Sequence, residues 1–88
     1  MSRSRQFTAA DLVPGRTYRV IRIFIDYDGT VHPIDESWRF VKKSFLPYED
    51  GLSLFVEKNQ QTVLFRLQWR EESQGQIIDN FSDFVAEV

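Results

Sequence analysis

The chain has 88 residues, of which 27% are charged, and its formal net charge is −2 at pH 7. This length fits one small domain with one core and excludes most multilayer enzyme folds. The absence of cysteine excludes disulfides, thiolate metal clusters and a thiol nucleophile. No apolar run is long enough to cross a membrane and no secretory start is visible, so we expect a soluble cytoplasmic protein.

The beginning of the chain predicts a flexible tail that leads into a single domain. Residues 1–7 contain a short, polar and basic stretch with little to bury, so they are assigned to the tail. Residues 8–88 form the domain. Thr8 can cap one helical turn, which Pro14 and Gly15 then end.

A strand is predicted next, because residues 17–25 are rich in β-branched and aromatic side chains. Arg19 and Arg22 lie three positions apart, and a regular strand would point them to opposite faces. We therefore expect a bulge or a sharp bend near Val20. Residues 26–37 contain an Asp-Gly pair, a proline and several acids, which indicates a loop or a short hairpin.

The clearest pattern is a pair of half-buried antiparallel strands. Apolar and polar residues alternate over residues 52–57 and again over 62–69. If residues 58–61 form the connecting turn, Phe55 faces Leu64 on the side of the sheet opposite to the core. These two apolar side chains then need a cover.

A helix near the C-terminus is the predicted cover. Apolar residues recur at helical spacing over about residues 76–87, with acidic residues between them. Residues 75–79 are also compatible with a last short strand. If the helix packs elsewhere, Phe55 and Leu64 could form the seam of a homodimer.

Together these elements predict a mainly β fold with a C-terminal α-helix. Tight turns between antiparallel strands suggest a small SH3-like antiparallel barrel or a strongly bent sheet. An open α+β sandwich is the alternative.

One segment resembles a catalytic motif. Residues 23–31 are similar to the first signature of the haloacid-dehalogenase-type phosphatases, an apolar strand followed by Asp-x-Asp-Gly-Thr. The resemblance implies that Asp26 is a nucleophile, that Asp28 is a general acid/base, and that the pair helps to hold Mg²⁺. The other residues of that chemistry and its parallel sheet are not apparent, so a turn that closes a strand is the favoured interpretation.

Other ligands are weaker alternatives. Asp26, Asp28, His32 and Glu36 could gather around a divalent ion, but one imidazole and the wrong calcium-loop spacing favour a solvated acidic loop and no metal. The acidic overall balance disfavours nucleic acid. The Asp-Tyr-Asp loop at Tyr27 also resembles the peptide-binding loop of SH3 domains, although that family's adjacent Trp pair is absent.

Most of the chain resembles a small bacterial family of domains of unknown function. The similarity lies in residues 11–20 (DLVPGRTYRV), 26–33 (DYDGTVHP), 44–55 (SFLPYEDGLSLF), 66–69 (RLQW) and 77–81 (IIDNF). It implies a bacterial source and assigns no activity or functional residue.

Our leading hypothesis is a non-catalytic module without a cofactor that binds another protein through loops 26–36 and 46–51. No complete catalytic set is visible, and these loops concentrate acidic and aromatic residues. By analogy, an immunity- or inhibitor-type protein is a special case. The alternatives are a metal-dependent phosphoryl-transfer enzyme fragment that uses Asp26 and Asp28, or a weak nucleic-acid binder. The predicted binding residues are Tyr27, Asp28, His32, Tyr48, Glu49 and Asp50.

Overall fold

The structure, a computed structural model, describes residues 6–46, 51–70 and 72–88. The described part is mainly β with one α-helix, as predicted. Its strands are β1 (Thr17–Val20), β2 (Phe24–Ile25), β3 (Val31–His32), β4 (Ser37–Leu46), β5 (Gly51–Lys58), β6 (Gln61–Gln68) and β7 (Val85–Glu87). The helix is α1 (Glu72–Asp79), and 3-10 turns lie at Ala9–Asp11 and Phe81–Asp83.

Five strands form one antiparallel sheet in the order β6-β5-β4-β1-β7, and β2 pairs with β3 in a separate hairpin. Among the described residues β6 does not pair with β7, so the large sheet stays open instead of closing into a barrel. The bent-sheet form of the prediction is therefore confirmed. The predicted register of β5 and β6 is also confirmed, with Val56 opposite Val63 and Phe55 opposite Leu64.

The chain leaves the large sheet directly after Val20, where the sequence predicted a bend. The amide of Val20 donates to the carbonyl of Glu36 at 2.7 Å, which ends the ladder, and β2 then begins a second layer. A second irregularity is the bulge between Phe40 and Lys42, which bends the long strand β4.

The core fills the space between the large sheet and a layer formed by the hairpin, α1 and the 3-10 turns. Its fully buried side chains include Phe40, Leu54, Ile78 and Phe81. Phe7 packs against this core and lies 6.1 Å from Tyr18 between ring centroids. The predicted tail boundary at residue 7 is therefore wrong, because an aromatic ring at that position gains a buried contact. Residues 1–5 lie outside the described part.

The predicted helix over residues 76–87 is also wrong in its bounds. Residues 75–79 are helical, but α1 begins at Glu72 and ends at Asp79, and the last residues form β7. The β-branched residue Val85 pairs with Val20 at the free edge of β1. The backbone groups of the last residues therefore find hydrogen-bond partners in β1, whereas in a longer helix they would find them within the helix.

The helix does not cover the apolar pair on the other face of the sheet. It packs against β6 from the core side, where Ile78 is fully buried. Leu64 is left 49% exposed, and Phe55 is half-buried beneath Lys42, whose ammonium lies 5.0 Å from the ring centroid. In the described residues no helix has the length and apolar character needed to cross a bilayer.

Candidate functional site

The Asp-x-Asp-Gly-Thr motif forms the turn of the β2–β3 hairpin. Oδ1 of Asp26 accepts hydrogen bonds from the amides of Asp28 at 2.9 Å and Thr30 at 3.0 Å. Gly29 has φ +87°, a conformation that costs glycine little. The favoured interpretation of this motif as a turn is confirmed, because β2 and β3 are antiparallel neighbours joined by it.

His32 lies beneath this turn, between two aromatic rings. Its imidazole stacks on Phe24 at a centroid distance of 4.6 Å with an interplanar angle of 12°. The ring of Phe65 lies 4.5 Å away on a tilted plane. Because β3 turns His32 toward the core and Val31 toward solvent, the histidine is only 5% exposed.

Both nitrogens of His32 face carboxylates. Nε2 lies 2.8 Å from Oδ2 of Asp26, and Nδ1 lies 2.6 Å from Oε1 of Glu36. The second oxygen of Glu36 accepts a hydrogen bond from Nζ of Lys58 at 2.8 Å. With a doubly protonated imidazole, this network of Asp26, His32, Glu36 and Lys58 has two negative and two positive charges, so it is neutral and every contact is a charge-assisted hydrogen bond. We call it the buried network.

Glu36 shows the electrostatic effect of this environment most clearly. Burial is the largest single influence and raises the pKa of its carboxyl. The hydrogen bonds from Lys58 and His32, together with their positive charges, act in the opposite direction and prevail, so the pKa lies below its ordinary value. The carboxylate is therefore held in its ionised form at neutral pH.

The carboxylates and the imidazole of the buried network already have hydrogen-bond partners. Oδ1 of Asp26 accepts hydrogen bonds from the turn, and both nitrogens of His32 are in hydrogen-bond contact with carboxylate oxygens, so neither nitrogen is open to a metal. Within residues 6–46, 51–70 and 72–88, no group of three or more histidine, aspartate or glutamate residues could hold a metal ion. The network is thus arranged to fix the hairpin to the end of β5, which carries Lys58.

An apolar groove lies on the other side of the hairpin, between β2 and α1. It encloses about 540 Å³, whereas two further clefts beside β1 enclose about 340 and 300 Å³. Nε2 of Gln74 donates to the carbonyl of Ile25 at 2.8 Å and so ties the helix to the hairpin. The groove is lined by Ile23, Phe24, Ile25, Val31, Ser73, Gln74, Ile77 and Phe84.

The rim of this groove is unusually apolar for an exposed surface. Ile23, Ile25 and Val31 are 56%, 51% and 48% exposed, and the last two are cross-strand partners in the hairpin. We call these three side chains the hairpin face. Phe24 links the groove to the buried network, because its ring forms part of the groove wall and also stacks on His32.

The predicted binding residues occupy different environments. Tyr27 is exposed, and its backbone amide donates to the carbonyl of Arg66 at 2.7 Å. Asp28 forms an ion pair with Arg66, and this hydrogen-bonded guanidinium lowers the pKa of the Asp28 carboxyl. His32 is buried and supports the hairpin from within. Tyr48, Glu49 and Asp50 lie outside the described residues.

The structure does bring together three of the four residues weighed as metal ligands, but they bind one another. Asp26, His32 and Glu36 form the buried network, whereas the side chain of Asp28 points to Arg66. Sequence reasoning missed Lys58, which is 22 positions from its partner Glu36. It also missed the hairpin face, for which the run Ile23-Phe24-Ile25 was the available signal: successive residues of a strand face opposite sides, so burial of Phe24 exposes both isoleucines.

The comparisons with known proteins give a family and a structural relative. A family model described as "Domain of unknown function (DUF3601)" matches residues 3–87. An integron cassette protein from the mobile metagenome of Vibrio cholerae has a similar structure, with a TM-score of 0.84 and 33% sequence identity. The alignment covers 89% of this chain and 87% of that protein. No curated protein matches the chain.

Proposed function

We propose that this chain, which belongs to the family described as "Domain of unknown function (DUF3601)", is a non-catalytic module that binds another protein through the hairpin face. The observation that carries the proposal is the exposure of Ile23, Ile25 and Val31 around an apolar groove. Contiguous apolar side chains at the mouth of a cleft are typical of protein-binding surfaces. The apolar side chains of a partner would fill the groove, as the anchors of an interface do.

The buried network supports this function by making the hairpin rigid. A two-residue strand pair is too short to be stable alone. Here the carboxylate of Asp26 fixes the turn, and His32 and Glu36 connect the hairpin to Lys58. A surface that is ordered before binding loses less conformational entropy when it meets its partner. An immunity- or inhibitor-type role in the cytoplasm is a special case of this proposal.

The test is retention of a partner by matched variants. The wild-type protein, Ile25→Glu and Val13→Glu would each be immobilised and exposed to a bacterial lysate. Ile25 belongs to the hairpin face, whereas Val13 is 44% exposed and lies beside β1, away from the groove. We expect the wild type and Val13→Glu to retain the same protein and Ile25→Glu to lose it.

A direct titration of the recovered protein completes this test. The dissociation constant should rise at least about tenfold for Ile25→Glu and change little for Val13→Glu, since a carboxylate buried in an apolar groove is costly. Equal binding by all three proteins would contradict the proposal. Phosphate-ester hydrolysis with Mg²⁺ that exceeds background in the wild type and is lost in Asp26→Asn would instead favour the phosphoryl-transfer alternative.

A further inference from the structure

The outer edge of the large sheet is formed by β6, which has a neighbouring strand on one side only among the described residues. At one end of this edge, the amide of Tyr27 donates to the carbonyl of Arg66 at 2.7 Å. The other end is the tight turn at Asn59 and Gln60, both with positive φ. Between these two limits lies a short stretch of edge, residues 61–65.

The bond from Tyr27 also fixes which backbone groups face outward. The carbonyl of Arg66 points away from β5, and in a strand the amide and carbonyl of every second residue point the same way. Thr62 and Leu64 therefore direct their amides and carbonyls outward, whereas Val63 and Phe65 direct theirs toward β5. No partner for the four outward groups of Thr62 and Leu64 occurs in the described ranges.

This stretch lacks the features that usually protect an exposed edge. Natural edge strands carry charged residues, proline or bulges that prevent pairing with another chain. Residues 61–65 contain no charge and no proline, and their pairing with β5 is regular. Val63 and Leu64 are 37% and 49% exposed, on opposite faces of the sheet.

We propose that β6 pairs with β6 of a second copy of this chain, antiparallel, across a two-fold axis at Val63. In this register Thr62 lies opposite Leu64 of the second copy, and Leu64 lies opposite Thr62 of the second copy. The four outward groups of each copy then form four intermolecular hydrogen bonds, and none remains unpaired. Leu64 of each copy also packs beside the seam next to Phe55, its cross-strand partner in β5.

Other symmetric registers are less favourable. Centring the pair on Leu64 sets Thr62 against Arg66 of the second copy, whose carbonyl is already bonded to Tyr27. Centring it on Thr62 sets Leu64 against Gln60 of the second copy, which lies in the turn with φ 68°. The register at Val63 avoids both conflicts.

The charges are also compatible with self-pairing. In the Val63 register residues 61–65 of one copy face residues 65–61 of the other, and none of these residues is charged, so no like charges lie opposite each other. The seam is short and falls below the roughly 800 Å² per partner of a stable interface, so the dimer should be weak and concentration-dependent. This inference is independent of the hairpin face.

Sedimentation equilibrium and amide hydrogen exchange, both from micromolar to millimolar concentration, test the proposal on the whole chain. We expect the average mass to rise from 10.4 kDa toward twice that value. The amides of Thr62 and Leu64 should exchange more slowly as concentration rises, whereas those of Val63 and Phe65 should be protected at every concentration. A mass that stays at 10.4 kDa would overturn the proposal, as would exchange at Thr62 and Leu64 that does not depend on concentration.

Two variants locate the seam. Leu64→Pro removes an amide that β5 does not use, and Leu64→Lys keeps that amide but adds a charge to the seam. Each should raise the dissociation constant of the dimer at least about tenfold. Val13→Lys, at a similarly exposed position beside β1, should leave it unchanged. If Leu64→Pro does not fold, Leu64→Lys decides, and a dissociation constant equal to that of the wild type would overturn the proposal.

Discussion

The Nε2 atom of His32 lies 2.8 Å from Oδ2 of Asp26, and this contact joins the two strands of the hairpin beneath its turn. Asp26 follows β2 directly, and His32 is the last residue of β3. The other oxygen of Asp26 accepts two amides of the turn. One carboxylate therefore fixes both the turn and the imidazole.

Replacing His32 with leucine should destabilise the fold strongly. The substitution leaves the carboxylates of Asp26 and Glu36 facing an apolar side chain in a site with little access to water. Removal of one partner from a buried ionic pair typically costs about 3–5 kcal/mol. We expect a loss of about 3 kcal/mol in the free energy of unfolding, measured by urea denaturation at neutral pH.

The control for His32→Leu is Asp28→Asn in the same hairpin. Asp28 pairs with Arg66 at the surface, where both side chains are well exposed. Exposed ion pairs contribute at most about 1 kcal/mol, so this variant should remain close to the wild type. Equal losses in the two variants would show that burial of the network is not what makes it stabilising.

Glu36 should make stability depend on pH in the acidic range. Its folded-state pKa is lowered from an ordinary value of 4.5, although burial opposes this shift, because Lys58 and His32 donate to the carboxylate. A depressed pKa means that the stabilisation is fully present above the unfolded-state value. It is then lost as the pH falls below 4.5 and through the folded-state pKa.

Urea unfolding of the wild type and Glu36→Gln, from neutral pH to about pH 3, measures this contribution. The wild type should be the more stable protein at neutral pH, and the difference between the two should shrink as the pH falls. Glutamine keeps the volume of glutamate, so the substitution removes the charge and one of the two acceptor oxygens without creating a cavity. A difference that stays constant with pH would contradict the assigned role of Glu36.

The sequence predicts local features of this fold better than the contacts between distant segments. The register of β5 and β6 follows from alternation over residues 52–57 and 62–69 together with a short turn, because both signals lie within one hairpin. The structure of the last residues does not follow from such local signals, since Val85 has helical spacing from Phe81 but pairs with Val20, which is far away in the sequence. Local propensity cannot anticipate a free sheet edge.

The same distinction applies to the candidate site. The turn after β2 is predictable because an Asp-Gly pair has a strong local preference. The buried position of His32 depends on Phe65 above its ring and on Lys58 beside Glu36, both on other strands. The carboxylates of this one acidic loop therefore occupy two environments: those of Asp26 and Glu36 lie in the interior, whereas that of Asp28 lies at the surface.

The turn between β5 and β6 offers a stabilising substitution. Asn59 and Gln60 have φ of 54° and 68°, the left-handed values that a two-residue hairpin turn requires. Asparagine tolerates this conformation, whereas glutamine is strained there. Gln60→Gly should raise the free energy of unfolding by up to about 1 kcal/mol, measured by urea denaturation. Gln61→Gly, in the adjacent strand position, should lower it, and the opposite order would contradict the argument.

Gly29 in the hairpin turn should be sensitive to alanine for the converse reason. A Cβ at this position would meet no atom within 4 Å, but the residue has φ +87°, so any cost of Gly29→Ala is a cost of backbone strain. We expect the variant to lose about 1 kcal/mol of stability in urea.

Gly51→Ala is the matched control, because its Cβ would contact only Nε2 of Gln68 at 4.0 Å and its φ is ordinary. That substitution should be neutral or slightly stabilising, since alanine restricts the unfolded chain. If Gly29→Ala is as stable as Gly51→Ala, the turn does not require a left-handed residue, and the rigidity that we assign to the hairpin face must depend on the buried network alone.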